Sequence, residues 1–190
     1  MTTDRRTVLA DAAITVLADH GMRGLTHRAV DREADLPSGT TSAYFRTRKA
    51  LLTALVRRLV ERDQSELQAI GEAMPTPRNA DELIDGIAAF TERRLTDSGR
   101  RRSLARYACA VESVHQPELR EILLPRDNAA HTAVREFLAA HGVTDVEGRA
   151  LTLLACVDGL VFDRLVSGGH VPREEIQGLV AAALRKPEAG

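Results

Sequence analysis

An all-α protein of about nine helices is what the sequence predicts, and three observations predict it. Apolar residues recur at three- and four-residue spacing along nearly the whole chain, while the strict alternation of a half-buried strand is almost absent. Hydrophobic residues make up 44% of the 190 positions but aromatics only 3%, so Ala, Leu and Val fill the interior and favour closely packed helices. Gly and Pro punctuate several of the boundaries, at Gly21, Pro37-Ser38-Gly39, Pro75-Thr76-Pro77 and Gly168-Gly169.

The first helix is read from Val8, Leu9, Ala12, Ala13, Val16 and Leu17, which line one face, with Gly21 at a C′ position that favours positive φ. Thr26 is an N-cap for the second helix, and Leu25 with Val30 has the spacing of a hydrophobic staple. Pro37 biases Leu36 away from the helical region, so this helix ends in Leu36-Pro37-Ser38-Gly39. A third short helix is expected over Thr40–Phe45. Thr47 caps a fourth, whose apolar stripe runs through Leu51, Leu52, Leu55, Val56, Leu59 and Val60 as far as Gly71.

Pro75-Thr76-Pro77 reads as a linker. Beyond it, helices are expected at Ala80–Thr96, Arg101–Val114, Glu118–Ala140, Asp145–Ser167 and Arg173–Leu184. Thr144-Asp145-Val146-Glu147 has the form of a capping box, and Gly168-Gly169 stops the helix that follows. Pro172 suits the start of the last helix, whose dipole Glu174 and Glu175 complement.

The formal net charge of −1 conceals a mild asymmetry: residues 1–49 hold eight Lys and Arg against six Asp and Glu, a small basic surplus. Cys109 and Cys156 lack metal or redox spacing and are expected to be buried thiols in a reducing compartment. The most apolar long stretch, 150–166, contains Asp158 and Asp163, so no membrane span is expected. With no secretory signal read either, a cytoplasmic location is expected.

Chemistry concentrates in THRAVDREADLPSGTTSAYFRTRKALL, residues 26–52: two short helices joined by a tight turn, then a long amphipathic helix. Thr40, Thr41 and Ser42 give the second short helix the small polar side chains that let a backbone approach a DNA groove. Arg28 before it, and Arg46, Arg48 and Lys49 after it, bracket it with positive charge, and the helix starts at Thr26 and Thr47 offer free N–H groups to phosphates.

These residues resemble the TetR family of repressors. The resemblance rests on the first helix with Gly21, on Leu25-Thr26, and on Leu36-x-x-Gly39-Thr40-x-x-x-x-Phe45-x-Thr47-Arg48-x-x-Leu51; Val157-Asp158-Gly159-Leu160 resembles a segment of the family's penultimate helix. Three positions depart from the usual pattern. Ser42 stands where the family has Tyr, with the aromatic moved to Tyr44; Arg48 replaces Lys; and Pro37 replaces the usual turn residue.

The resemblance implies an N-terminal helix-turn-helix DNA-binding domain (1–48) and a C-terminal helical domain (49–190) for ligand binding and dimerisation. It assigns Thr26, Tyr44, Thr47 and Arg48 mainly to phosphates, and places Arg28, Ser38, Thr40, Thr41, Ser42 and Ala43 nearest the bases. It further implies a homodimer through the last two long helices, double-stranded operator DNA and an unidentified small-molecule effector as partners, and no cofactor. Arg106, Tyr107, Glu112, His115, His131, Asp158 and Phe162 are the candidate effector contacts.

Two other classes are weighed. Glu112-Ser-Val-His115 has the Glu-x-x-His spacing of a di-iron helical-bundle oxidase, but no second such pair accompanies it. An adaptor that binds protein, or DNA without sequence preference, is separated from a repressor by whether genomic DNA yields a preferred palindrome. On the sequence assignment, Arg48→Ala is expected to weaken binding to every duplex and to lower the salt slope by about one unit.

Overall fold

The computed structural model describes residues 4–73, 76–123 and 129–185, and among them there are ten helices and no strand. In chain order they are α1 (Arg5–Gly24), α2 (His27–Glu33), α3 (Thr40–Tyr44), α4 (Arg48–Ala73), α5 (Ala80–Leu95), α6 (Asp97–Glu112), α7 (Pro117–Leu123), α8 (Ala129–Ala140), α9 (Val146–Ser167) and α10 (Arg173–Leu184). Pro75 of the expected linker lies outside the described residues.

One expected helix, Glu118–Ala140, is two: α7 ends at Leu123 and α8 begins at Ala129, and the intervening stretch lies outside the described residues. Pro125, within the expected helix, lacks an amide donor and disfavours the helical region at the residue before it. The sixth helix starts at Asp97, four residues before the expected Arg101. The capping box shifts by one position. Asp145 rather than Thr144 caps α9, accepting from the Gly148 amide at 3.2 Å, while Glu147 reaches Arg135 at 3.2 Å.

Packing divides the chain into two compact units, Met1–Asp63 with Asp97–Pro125, and Gln64–Thr96 with Arg126–Gly190. The first packing unit extends beyond the 48/49 boundary expected from the sequence. The physical reason is α6, which lies along α1 and lends Ala105 and Cys109 to the same core as Leu9, Leu17 and Leu55. Burial pushes the Cys109 thiol up to about 12, and the nearby Glu112 charge adds to this. Polar ties close the first unit at its edges. Asp11 of α1 accepts from Arg58 at 2.8 Å and Arg62 at 2.9 Å of α4, and Arg106 of α6 donates to Asp63 at 2.7 Å.

The second unit packs α5, α8, α9 and α10 around Leu83, Ile87, Phe137, Leu138, Leu153, Val157 and Ile176. Arg149 donates to the Ala183 carbonyl at 3.0 Å, a cation placed at the C-terminal end of α10 where the helix dipole favours it. Among the described residues the opposite side of α9 is exposed. Leu151, Phe162 and Val166 are 55%, 50% and 74% exposed there, with Ala155, Cys156 and Gly159 between them. Cys156, expected to be buried, is therefore exposed, because it lies on this outward apolar stripe.

Helix α2 ends earlier than Pro37 alone requires. The Leu36 amide donates to the Asp31 carbonyl at 2.9 Å and the Asp35 amide to the Arg32 carbonyl at 3.2 Å, the paired bonds of a Schellman stop. Asp35 occupies its left-handed position at φ 53°, which an L side chain adopts at a cost. Asp35→Gly is expected to raise unfolding stability by about 0.5–1 kcal/mol in denaturant titration, with the helical far-UV signal unchanged.

Candidate nucleic-acid interface

The segment from Thr26 to Arg48 forms helix, turn and helix as its local chemistry dictates. The Thr26 hydroxyl accepts from the Ala29 amide at 3.1 Å, and Leu25 and Val30 are both fully buried, so cap and staple fix the entry of α2. Thr47 caps α4, accepting from the Ala50 amide at 3.0 Å. Between them Gly39, at φ 94°, turns the chain into α3, and Phe45, buried, ends it with its amide on the Thr41 carbonyl at 2.7 Å.

The expected base-facing residues separate into two groups. Arg28, Ser38, Ser42 and Ala43 are exposed, and Thr40 is half-buried with its hydroxyl donating to the Pro37 carbonyl at 2.6 Å. Thr41 is instead fully buried: its hydroxyl donates to Asp31 at 2.5 Å, so it is part of the scaffold and does not face a groove. Among the expected phosphate contacts, Thr26 and Thr47 are exposed caps, and Tyr44 is 38% exposed. The Arg48 guanidinium donates to the carbonyls of Met22 and Leu25 and ties the corner between α1 and α2 to α4. Loss of Arg48 therefore disturbs that corner as well as any phosphate contact, and the simple salt-slope expectation no longer isolates one role.

Two features escaped the sequence reading. Arg6 of α1 stacks its guanidinium 5.7 Å from the Tyr44 ring centroid and 5.6 Å from that of Phe45, adding a cation beside α3. Lys49 is paired with Glu118 of α7, so its charge is partly committed within the unit. Nothing in the local pattern around Arg6 or Glu118 announces these meetings, which join residues dozens of positions apart.

Asp31, 3% exposed, is the buried charge of this region. Burial by itself pushes its carboxyl up, but hydrogen bonds from the Thr41 hydroxyl and amide and the Gly39 amide, with the nearby His27, hold it below its ordinary value of 3.8.

The expected effector contacts are divided between the two units. Arg106, Tyr107, Glu112 and His115 belong to the first unit, and His131, Asp158 and Phe162 to the second. Arg106 is engaged with Asp63 and with the Leu123 carbonyl at 3.3 Å, and Glu112 accepts from Gln116 at 2.6 Å. His115 is exposed, and Tyr107 is half-buried. His131 is buried with Nε2 3.5 Å from Glu147, whereas Asp158 and Phe162 are exposed on α9, Asp158 lying 3.8 Å from the buried Arg94 of α5. Among the described residues no three His, Cys, Asp or Glu side chains come together as metal ligands, and no helix is long and apolar enough to cross a membrane.

An all-helical chain with a capped helix-turn-helix near its N-terminus and a polar second helix turned outward defines the class of helix-turn-helix DNA-binding proteins. Comparison with known proteins narrows the class. A sequence model of the bacterial regulatory proteins of the tetR family matches residues 9–55, and one of the tetracyclin repressor-like C-terminal domain matches residues 78–186. The chain belongs to the TetR family and is a DNA-binding, ligand-responsive transcriptional regulator, not an enzyme.

Relatives and solved structures agree. The chain is 27% identical over 163 residues to the HTH-type transcriptional regulator BetI of Serratia proteamaculans (strain 568), covering 82% of this chain and 78% of the relative. It is 26% identical over 178 residues to BetI of Escherichia coli (strain K12), covering 92% and 89%. A TetR-family member from Streptomyces coelicolor A3 superposes with a TM-score of 0.71 at 28% identity, covering 96% of this chain and 99% of the other. The multidrug binding protein EbrR complexed with imidazole does so with a TM-score of 0.69 at 26% identity, covering 98% of each chain.

Two outcomes follow from the geometry. Thr47→Ala removes the cap of α4 and is expected to lower stability by about 0.5–2 kcal/mol in denaturant titration. The lowered Asp31 carboxyl contributes stability that is whole above pH 3.8 and is lost as the pH falls through its lower native value, because the unfolded chain takes up that proton first. The acid limb of a stability–pH profile should therefore be shallower in Asp31→Asn than in the parent protein.

Proposed function

We propose that this regulator is a cytoplasmic homodimer that represses transcription by setting α3 of each protomer into successive major grooves of a palindromic operator. The observation that carries the reading is the surface of α3: Ser42, Ala43 and Tyr44 are exposed together, on a helix whose inner side is already occupied. Such short side chains let the backbone approach base edges, and Ser42 can both donate and accept there. Arg46, also exposed, supplies attraction to phosphates together with the Thr26 and Thr47 caps, with the Arg6 guanidinium beside the Tyr44 ring.

The outward stripe of α9, Leu151, Phe162 and Val166 with the small residues Ala155 and Gly159, is assigned to the dimer interface together with Ala181 and Ala182 of α10, which are exposed. Small residues permit close approach of helices and the large apolar ones supply burial, so two copies related by a two-fold axis cover the face. Phe162 then serves the dimer rather than the effector. Arg106, Tyr107, Glu112, His115, His131 and Asp158 remain the candidate effector contacts.

The effector is a small organic molecule, in keeping with the ligand-bound EbrR relatives. It acts by preferring a dimer arrangement whose reading helices are spaced wrongly for the operator. It then weakens DNA binding by the factor by which DNA weakens effector binding. Helix α4, which begins at the DNA-binding segment, is assigned the role of lever.

Selection of fragmented genomic DNA by the purified protein is expected to recover a palindromic site bound far more tightly than bulk DNA, with affinity falling as salt rises. Binding without any preferred site would overturn the reading in favour of a non-specific DNA-binding role. Phe162→Glu is expected to shift the protein from dimer to monomer in sedimentation and to weaken operator binding by about tenfold or more.

A further inference from the structure

Helix α3 has five residues, and Thr41 alone among them is buried. Isolated helices of this length do not persist in water, and the N-cap, Gly39, has no side chain with which to receive the first amides. Nor does an apolar side chain of α3 anchor it, since its one inward residue is a threonine. Something outside the helix must hold it, and α2 supplies two attachments.

At the N-terminal end, Asp31 Oδ2 accepts from the Gly39 amide at 2.8 Å, and Oδ1 accepts from the Thr41 amide at 2.7 Å and hydroxyl at 2.5 Å. At the C-terminal end, His27 Nε2 donates to the Phe45 carbonyl at 2.7 Å. His27 and Asp31 stand four residues apart and so share one face of α2. A carboxylate meets the first amides of α3, where the helix dipole favours negative charge, and a ring N–H ties down the extended Phe45 that follows its last turn.

We propose that His27 and Asp31 are positioning residues for base reading: a two-point polar clamp that sets the place and rotation of α3 without touching DNA. The inference rests on the operator reading above and deepens it. Hydrogen bonds are directional, so a clamp of this kind fixes the rotation of α3 about its own axis, which a greasy contact leaves softer. The rotation decides where Ser42 and Ala43 point. Phosphate attraction depends on groups outside the clamp, the exposed Arg46 and the Thr26 and Thr47 caps, so loosening it should erode discrimination between sequences while sparing general affinity for DNA.

The test compares the full-length protein with Asp31→Asn, Thr41→Val, His27→Ala and His27→Gln on two duplexes of equal length, the selected operator and a scrambled sequence. In Asp31→Asn an amide N–H₂ confronts the Gly39 N–H, donor against donor. Operator affinity is expected to fall about tenfold or more, and scrambled-duplex affinity to stay within about twofold. His27→Ala should lose discrimination, and His27→Gln, which keeps a donor, should regain part of it. Equal losses on both duplexes, or full discrimination in a folded Asp31→Asn protein, would overturn the clamp.

Should Asp31→Asn not fold, Thr41→Val removes one bond with the shape preserved; reduced discrimination then supports the clamp and undiminished discrimination overturns it. Parent protein that prefers neither duplex would sink the operator reading instead. Amide exchange in the DNA-free protein separates the two failures. Slow exchange at Gly39 and Thr41 in the parent that becomes fast in Asp31→Asn is the signature of the clamp, and fast exchange at both in the parent overturns it.

Discussion

A five-residue helix borrows its order from its surroundings, and in this protein it borrows through a carboxylate. Asp31 is buried, charged and surrounded by three donors from the turn and the first residues of α3. Taken alone, burial of that charge is unfavourable; with its donors in place it becomes the fixed point about which the turn closes. The rest of the interface follows. With the inner side of α3 occupied by Thr41, the outer side has to present Ser42, Ala43 and Tyr44, and the long helix after Phe45 leaves in a defined direction from the Thr47 cap. The fold around α3 is ordinary hydrophobic packing, but the reading surface is aimed by polar geometry.

Much of this was legible beforehand because it is local. Thr26 and Thr47 are caps whose partners lie three residues on, Leu25 and Val30 form a staple within one turn, and Gly39 marks a backbone position that favours glycine. These signals locate the helix-turn-helix, and the family resemblance built on them agrees with both matching family models. What failed to show is long-range or disguised. Thr41 has the composition of a surface residue, and only its meeting with Asp31, ten positions earlier, makes it an interior one. The stop at Asp35 was attributed to Pro37 because a left-handed aspartate leaves little trace in sequence.

The later half was read less well, for physical reasons of the same kind. Periodicity continues across Pro125, so one helix was expected where two are found. Asp158 and Phe162 were read as candidate effector contacts because polar and aromatic groups in an apolar run suggest a ligand; on α9 both are exposed, and Asp158 also lies 3.8 Å from the buried Arg94 of α5. Arg106, another candidate effector contact, carries its charge into a half-buried place where it also holds Asp63 and the Leu123 carbonyl. Periodicity reports that a face is apolar. It is silent on whether that face covers the chain's own core or a surface left open.

The two thiols differ in a way that offers a handle on assembly. Cys109 is sealed in the core with its ionisation pushed up to about 12, so little reactive thiolate is present near neutrality. Cys156 stands in the open on the α9 stripe. A thiol-directed dye added to the native protein thus has a single accessible target, and that target sits within the surface assigned to the subunit contact. The speed of its modification, followed as the protein is diluted, becomes a direct reading of how often the α9 face is uncovered.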